Sequence, residues 1–166
     1  MMRILGVDPS LRSTGFGVID VAGNAFTAVA AGEIRNPASL RPSLCLVKIG
    51  ATIAELIDQY RPTVVAIEGL VYVQNTQIAF TLGQVRGVII AGAAQRGLEI
   101  YEYAPRKVKQ SVTGSGGAGK DQVAHMVKAV LAMAALPSPD AADALAIAIT
   151  HAHGCQGIAP SQARQI

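Results

Sequence analysis

The sequence predicts an α/β domain built on a five-stranded mixed sheet flanked by helices. Three observations carry that expectation. Residues 3–8 (RILGVD), 14–21 (TGFGVIDV) and 25–34 follow one another as short β-prone runs, so the chain opens as a meander. Two further runs, VVAIE and LEIYEY, each lie between stretches of helical spacing, the order expected of strands joined through helices. From residue 105 onward only helical patterns follow.

The elements can be justified in order. Pro9-Ser10 turns the first strand toward the second, and Gly23-Asn24 is a hairpin signal before the third. Between Leu40 and Tyr60, Leu44, Val47, Ile49, Ile53, Leu56 and Ile57 recur near helical spacing, and Pro62 ends the run. VVAIE is a buried strand, a long helix runs from Gln74 to about Gln95, and LEIYEY is the fifth strand. Helices are expected near 105–112, 119–134 and 139–153. Residues 1–153 form one domain on this reading, and 154–166 a flexible tail.

The helix at 74–95 has two apolar faces, Ile78, Leu82, Val85 and Ile89 on one and Ala79, Gly83, Gly87, Ile90 and Ala94 on the other. Gly83 and Gly87 each cost about 1 kcal/mol relative to Ala inside a helix, a loss best offset where backbones pack closely. Either a helix of the same chain or a second subunit would satisfy that face.

At 166 residues, 51% hydrophobic and 15% charged, the chain is long enough to bury a core without staples. Cys45 and Cys155 lie in unrelated contexts and suggest no disulfide framework. No signal-peptide core precedes Asp8-Pro9, and no apolar run of ~18 residues is expected to span a bilayer, so a cytoplasmic protein with no membrane partner is predicted. The net charge of +3 is small, but Arg106, Lys107 and Lys109 cluster, and Lys120 follows across a glycine-rich loop. That distribution suits either a solvated basic face or a nucleic-acid partner.

Four carboxylates stand where elements end or begin: Asp8 in ILGVDPS, Glu68 in VVAIEGL, and Asp140 with Asp143 in PSPDAADALAIAI. The first two close buried strands, where an ionised carboxylate is costly unless it meets a cation. Asp140 and Asp143 lie three apart on one face of an apolar helix. Gathered at one sheet edge, the four would make an oxygen-lined pocket suited to a pair of Mg²⁺ ions about 4 Å apart. Capping would account for Asp140 alone, leaving Asp143, flanked by core residues, without a reason.

The order of these acids, with a meander before the first helix, resembles the RNase H-like superfamily of metal-dependent nucleases. Within it the chain resembles the RuvC family of Holliday-junction resolvases. The resemblance rests on GVDPS at 6–10, TGFGVI at 14–19, AIEG at 66–69, LGQVRGV at 82–88, VKQSVTGSG at 108–116 and DAADALAIAITHAH at 140–153. It implies an RNase H-like fold with Asp8, Glu68, Asp140 and Asp143 as the catalytic metal ligands, holding two Mg²⁺ with Mn²⁺ as a substitute. It also implies a homodimer that nicks opposing strands of four-way junction DNA symmetrically, in recombination and repair, beside the branch-migration proteins RuvA and RuvB. Lys109 and Lys120 match phosphate-contacting lysines, Arg106 and Lys107 would add affinity, and Tyr72, beside Val71, stands where an aromatic would stack on junction bases. Ser10 replaces the glycine that often follows Pro9 in the family.

Other signals are weaker. Gly114 through Lys120 (GSGGAGK) has P-loop spacing, but Asp121 replaces the required Ser or Thr and no buried strand precedes it. His151, His153 and Cys155 do not share one helical face and read as helix-end residues, as His125 reads as a structural one. Competing functions are a ribosomal-RNA-processing nuclease of the same superfamily, an actin-like ATPase domain, which would need a second domain to close over nucleotide, and a catalytically silent junction binder.

Overall fold

The computed structural model describes residues 1–69, 75–157 and 163–166. Strands β1 (Met2–Asp8), β2 (Ser13–Ala22) and β3 (Ala25–Arg35) form the antiparallel meander, its second hairpin closed at Gly23 with φ +57°. Helix α1 (Pro42–Tyr60) leads to β4 (Val64–Glu68), which pairs parallel with β1, and α2 (Thr76–Ala94) leads to β5 (Glu99–Tyr103), parallel with β4. Helices α3 (Pro105–Thr113), α4 (Lys120–Val130) and α5 (Pro139–Cys155) follow.

Two expectations about the number and extent of the elements need correction. The sheet has six strands, not five, in the order β3-β2-β1-β4-β5-β6, because Arg164–Gln165 (β6) pairs antiparallel with Tyr101 and Glu102. A two-residue polar strand has no alternation to read, since only the open edge of β5 creates it. Helix α4 stops at Val130 and not near 134: Ala132 turns left-handed at φ 50°, and the Met133 amide donates to the Lys128 carbonyl, closing the helix end. No glycine or proline stands between Val130 and Leu136, so nothing in the sequence marks this left-handed turn at an alanine.

Strand alternation sorts the core into two layers. Leu5, Val7, Val65 and Ile67 point to the side covered by α1 and α2, where Ile49, Ile53, Val85 and Ile89 are fully buried. Ile4, Ile19, Val64 and Ala66 point to the other side, against α5 and the α3–α4 pair through Leu145, Ile149, Val108 and Val127. By the same period of two, Asp8 and Glu68 belong to the α5 side. The register pairs Val7 with Ile67, so the two acids leave neighbouring strands side by side.

Helix α5 lies unusually deep on that side. A Cβ at Gly6 would collide with the Ala144 carbonyl oxygen, and one at Gly15 with the Asp140 carbonyl oxygen. The helix answers with small residues of its own, Ala141, Ala142, Ala144, Ala146 and Ala148, all buried.

Helix α2 also departs from expectation. Its 19 residues, with mean hydropathy 1.2 over the best window, are long and apolar enough to cross a membrane by length and composition, although the sequence reading found no such run. Only 22% of that window is buried in the chain's own core. The large apolar residues Ile78, Phe80, Leu82, Val85, Val88, Ile89 and Ile90 are interrupted by Thr81, Gln84 and Arg86, so no unbroken apolar run marks the span. The side chains buried from α2 are Val85, Ile89 and Ala93, with the guanidinium of Arg86.

Replacing Gly15 or Gly6 with Ala should lift α5 from the sheet and destabilise the fold by about 1–3 kcal/mol, the usual cost of overpacking. Equilibrium urea denaturation would read this as a lower midpoint, and an unchanged midpoint would mean that α5 can sit further out at no cost.

Candidate metal centre

The local sequence explains how each acid reaches the site. β1 ends at Asp8 because Pro9 cannot extend a ladder, and β4 ends at Glu68 ahead of Gly69, whose amide donates to the Tyr103 carbonyl. α5 begins at Pro139, a residue suited to the first helical position, with Ser138 as N-cap. Asp140 therefore does not cap the helix, and its carboxylate accepts a short hydrogen bond from the Ser13 hydroxyl of β2. Asp143 lies one turn on, over the end of β1.

One ligand oxygen from each of Asp8, Asp140 and Asp143 lies within 4.8 Å of the other two. Glu68 stands beside this group and shares with Asp8 and Asp143 a cleft of about 300 Å³, whose wall also carries Lys109 and Lys120. Lys120 Nζ is 3.3 Å from the Asp143 carboxylate, and its side chain is largely exposed, so it can swing without leaving the cleft. Lys109 reaches the same cleft from α3. Arg106 instead packs over Gly116, and neither it nor Lys107 lines the cleft. Tyr72 and Val71 lie outside the described residues.

The electrostatics are those of crowded like charges. Burial first, then the charges of Glu68, Asp143 and Asp140, push the Asp8 carboxyl up to about 8, with Lys120 opposing. Glu68 is raised by burial and by Asp143, against the pull of Lys120, Arg86 and Lys109. Lys120 is raised in turn, chiefly by the charge of Asp143. Carboxylates that resist ionising together at the mouth of a cleft favour a multivalent cation, and acceptor-only oxygens suit a hard one such as Mg²⁺ or Mn²⁺.

Several supporting residues were not picked out from sequence. Arg86, buried in α2, donates to the Glu68 carbonyl and to Glu102 at 2.7 Å, and so pins the end of β4 from behind. Glu33 of β3 faces the start of α5, where the Ser138 hydroxyl, then Arg35, hold its carboxyl below the usual range. It supplies negative charge at a helix N-terminus that lacks a side-chain cap of its own. Arg86 lies in the LGQVRGV segment, where an arginine among apolar helix residues was a readable sign of a buried partner. Ser13 and Glu33 left no comparable sign. Ser10 takes no positive φ, so the absence of glycine there costs nothing. GSGGAGK links α3 to α4 and does not follow a strand.

A meander followed by two parallel strands, with carboxylates converging at their open ends under the last helix, defines a nuclease of the RNase H-like kind. The chain belongs to the RuvC family: the family model for "Crossover junction endodeoxyribonuclease RuvC" matches residues 4–151. It is 46% identical over 153 residues to the protein of that name from Pelotomaculum thermopropionicum, covering 92% of this chain and 93% of that one. It is 49% identical over 163 residues to the one from Dichelobacter nodosus, covering 98% and 92%. Among solved structures it resembles Thermus thermophilus RuvC in complex with a Holliday junction substrate, with a TM-score of 0.91 and 29% identity over the full length of both chains.

The raised Asp8 fixes the sign of a pH effect. A carboxyl whose folded pKa exceeds its unfolded value stabilises the fold fully below about pH 4, and that contribution is lost as pH rises through about 8. The metal-free protein should therefore lose stability across that window, and Mg²⁺ or Mn²⁺ should restore it. Asp8→Asn should raise the metal-free melting temperature at pH 8 by about 2–8 °C and remove most of the metal response. Thermal unfolding with and without chelator checks both, and an unchanged melting temperature in Asp8→Asn would show that Asp8 is not under this strain.

Proposed function

We propose that this chain cuts four-way DNA junctions by metal-dependent phosphodiester hydrolysis, as a homodimer that places paired nicks in opposing strands. The observation that carries the reading is the Asp8, Asp140 and Asp143 group in a cleft edged by two lysines. Asp8, Glu68, Asp140 and Asp143 would hold two Mg²⁺, or Mn²⁺ in their place. Bound there, the ions supply an activated water and offset the charge that builds on the phosphate and the departing 3′ oxygen.

The chain's own groups set the rest. The carboxylates keep their ligand oxygens in place through Ser13 on Asp140 and Arg86 behind Glu68. Lys120, which bridges to Asp143 in the free protein, is free to turn to an incoming phosphate, and Lys109, from α3, meets the backbone in the same cleft. Arg106 and Lys107 add sequence-independent attraction further along α3. Tyr72 is proposed to stack on a junction base.

The homodimer rests on α2. A Cβ at Gly83 or Gly87 would meet no atom within 4 Å, while Ile78 is 56% and Phe80 71% exposed. A second copy covering this face would bring two cleavage centres to a two-fold substrate. Action in the cytoplasm on recombining or damaged DNA, with RuvA and RuvB as partners, belongs to the same proposal and rests on the family. Processing of ribosomal RNA precursors is the competing outcome of the first test.

That test is cleavage of a synthetic four-way junction with Mg²⁺, beside duplex DNA and structured RNA. The junction should be cut in preference to both, and preferential cutting of the RNA would overturn the reading. Asp8→Asn, Glu68→Gln, Asp140→Asn and Asp143→Asn should each lower cleavage by more than about 100-fold, beyond the loss typical of outer-shell partners, while junction binding persists. Lys109→Ala and Lys120→Ala should each flatten the slope of log K against log salt by about 1.

Gly83→Leu and Gly87→Leu should yield folded monomers by sedimentation, with poor junction binding and uncoupled nicks. Both positions face open space among the described residues, so wild-type protein that sediments as a monomer at micromolar concentration would refute the dimer.

A further inference from the structure

At the end of the sheet away from the carboxylates, the last turns of α5 and the start of β5 border an open cavity of about 390 Å³. His151, Cys155, Glu99, Tyr101 and Tyr103 line it. Nothing in the hydrolytic reading uses these groups. We propose that His151 and Cys155, completed by Glu99, form a second metal site, selective for a borderline divalent cation such as Zn²⁺.

Geometry supplies the first argument. His151 and Cys155 are one helical turn apart, and the sulfur lies 3.5 Å from Nε2. Bonds of about 2.3 Å to sulfur and about 2.0–2.1 Å to nitrogen, opened to a tetrahedral angle, span nearly that distance. The pair therefore already has the bite of a zinc chelate.

Orientation supplies the second. His151 is 4% exposed, and its Nδ1 lies 2.8 Å from the Tyr103 hydroxyl. Metal-binding histidines are held in this manner, through the ring nitrogen that does not touch the metal. With Nδ1–H donating to the phenol oxygen, the Nε2 lone pair faces the sulfur and the cavity. Burial keeps the imidazole neutral, the state that can ligate. The Tyr101 ring packs against it at 4.9 Å.

The third argument is the ligand set. Glu99 is exposed at the same wall, where its carboxylate accepts from the Tyr101 hydroxyl at 3.2 Å; it stands outside ligating distance of the His151–Cys155 pair and would have to leave that bond to become the third ligand. Cys155 would release its thiol proton to solvent as the metal–sulfur bond forms. Nitrogen and sulfur ligands select against Mg²⁺, so the all-oxygen centre and this one would not compete for the same ion. The bound ion would tie the last turn of α5 to β5.

The test uses the full-length chain carrying Asp8→Asn and Asp143→Asn, which silence the carboxylate centre, titrated with Co²⁺ in excess Mg²⁺. One equivalent per chain should produce a thiolate-to-cobalt charge-transfer band that Zn²⁺ bleaches. Cys155→Ser, at an exposed position where folding should be unaffected, should abolish the band, whereas Cys45→Ser should leave it intact. Glu99→Gln should weaken Co²⁺ binding by about 10-fold or more. In the otherwise native protein, Cys155→Ser should cleave junctions normally in Mg²⁺, so failure of the second site is distinguishable from failure of the hydrolytic reading. Absence of the band in the parent, or its survival in Cys155→Ser, would overturn the proposal.

Discussion

The close seating of α5 on β1 and β2 is the contact on which the rest of the molecule depends. It needs strands without side chains at Gly6 and Gly15 and a helix whose inward face is mostly alanine. Given both, the first turns of α5 descend to the level of the sheet's open end, so Asp140 and Asp143 meet Asp8. A helix resting on ordinary Cβ atoms would stand off by an ångström or more on order-of-magnitude grounds, enough to separate ligands that must share one ion. Packing in the core and chemistry at the edge thus follow from the same small residues.

That seating is favourable for the apolar layers and unfavourable for the acids. Asp8 is pushed up to about 8, first by its burial and then by the carboxylates of Glu68, Asp143 and Asp140 gathered around it. The chain offsets the cost without abolishing it: Lys120 bridges Asp143, Ser13 donates to Asp140, and Arg86 reaches the carbonyl of Glu68. Each contact leaves carboxylate oxygens available. A site fully neutralised by arginines would be more stable and unable to hold a cation.

Helix α2 joins the interior to the exterior. Its inward face packs Val85, Ile89 and Ala93 on the sheet and sends Arg86 beneath the active strand end, while a Cβ at Gly83 or Gly87 would meet no atom of the described residues within 4 Å. An arginine fixed by Glu102 at 2.7 Å links any load on that helix to the position of Glu68. The outward glycines are costly within one chain and become intelligible when a second backbone approaches them.

The sequence by itself determined the order of the first ten elements, β1 to α5, and showed four acids standing where elements end or begin. Each of these is a local matter of period, turn chemistry, or an acid placed where an apolar strand stops. Arg86 was half legible, as a charge inside an apolar helix with no visible partner. The early end of α4 is a local left-handed turn at an alanine, which no turn residue marks. The sixth strand and the roles of Ser13 and Glu33 were decided by tertiary structure, because each depends on a partner distant in sequence: β5 for β6 and α5 for the other two. The pairing of His151 with Cys155 was hidden for a related reason. The three residues His151, His153 and Cys155 share no helical face, but two of them do, and only the packing of α5 against Tyr103 shows which two. Helical period tells which side chains can meet, whereas the neighbouring element decides which of them are buried together.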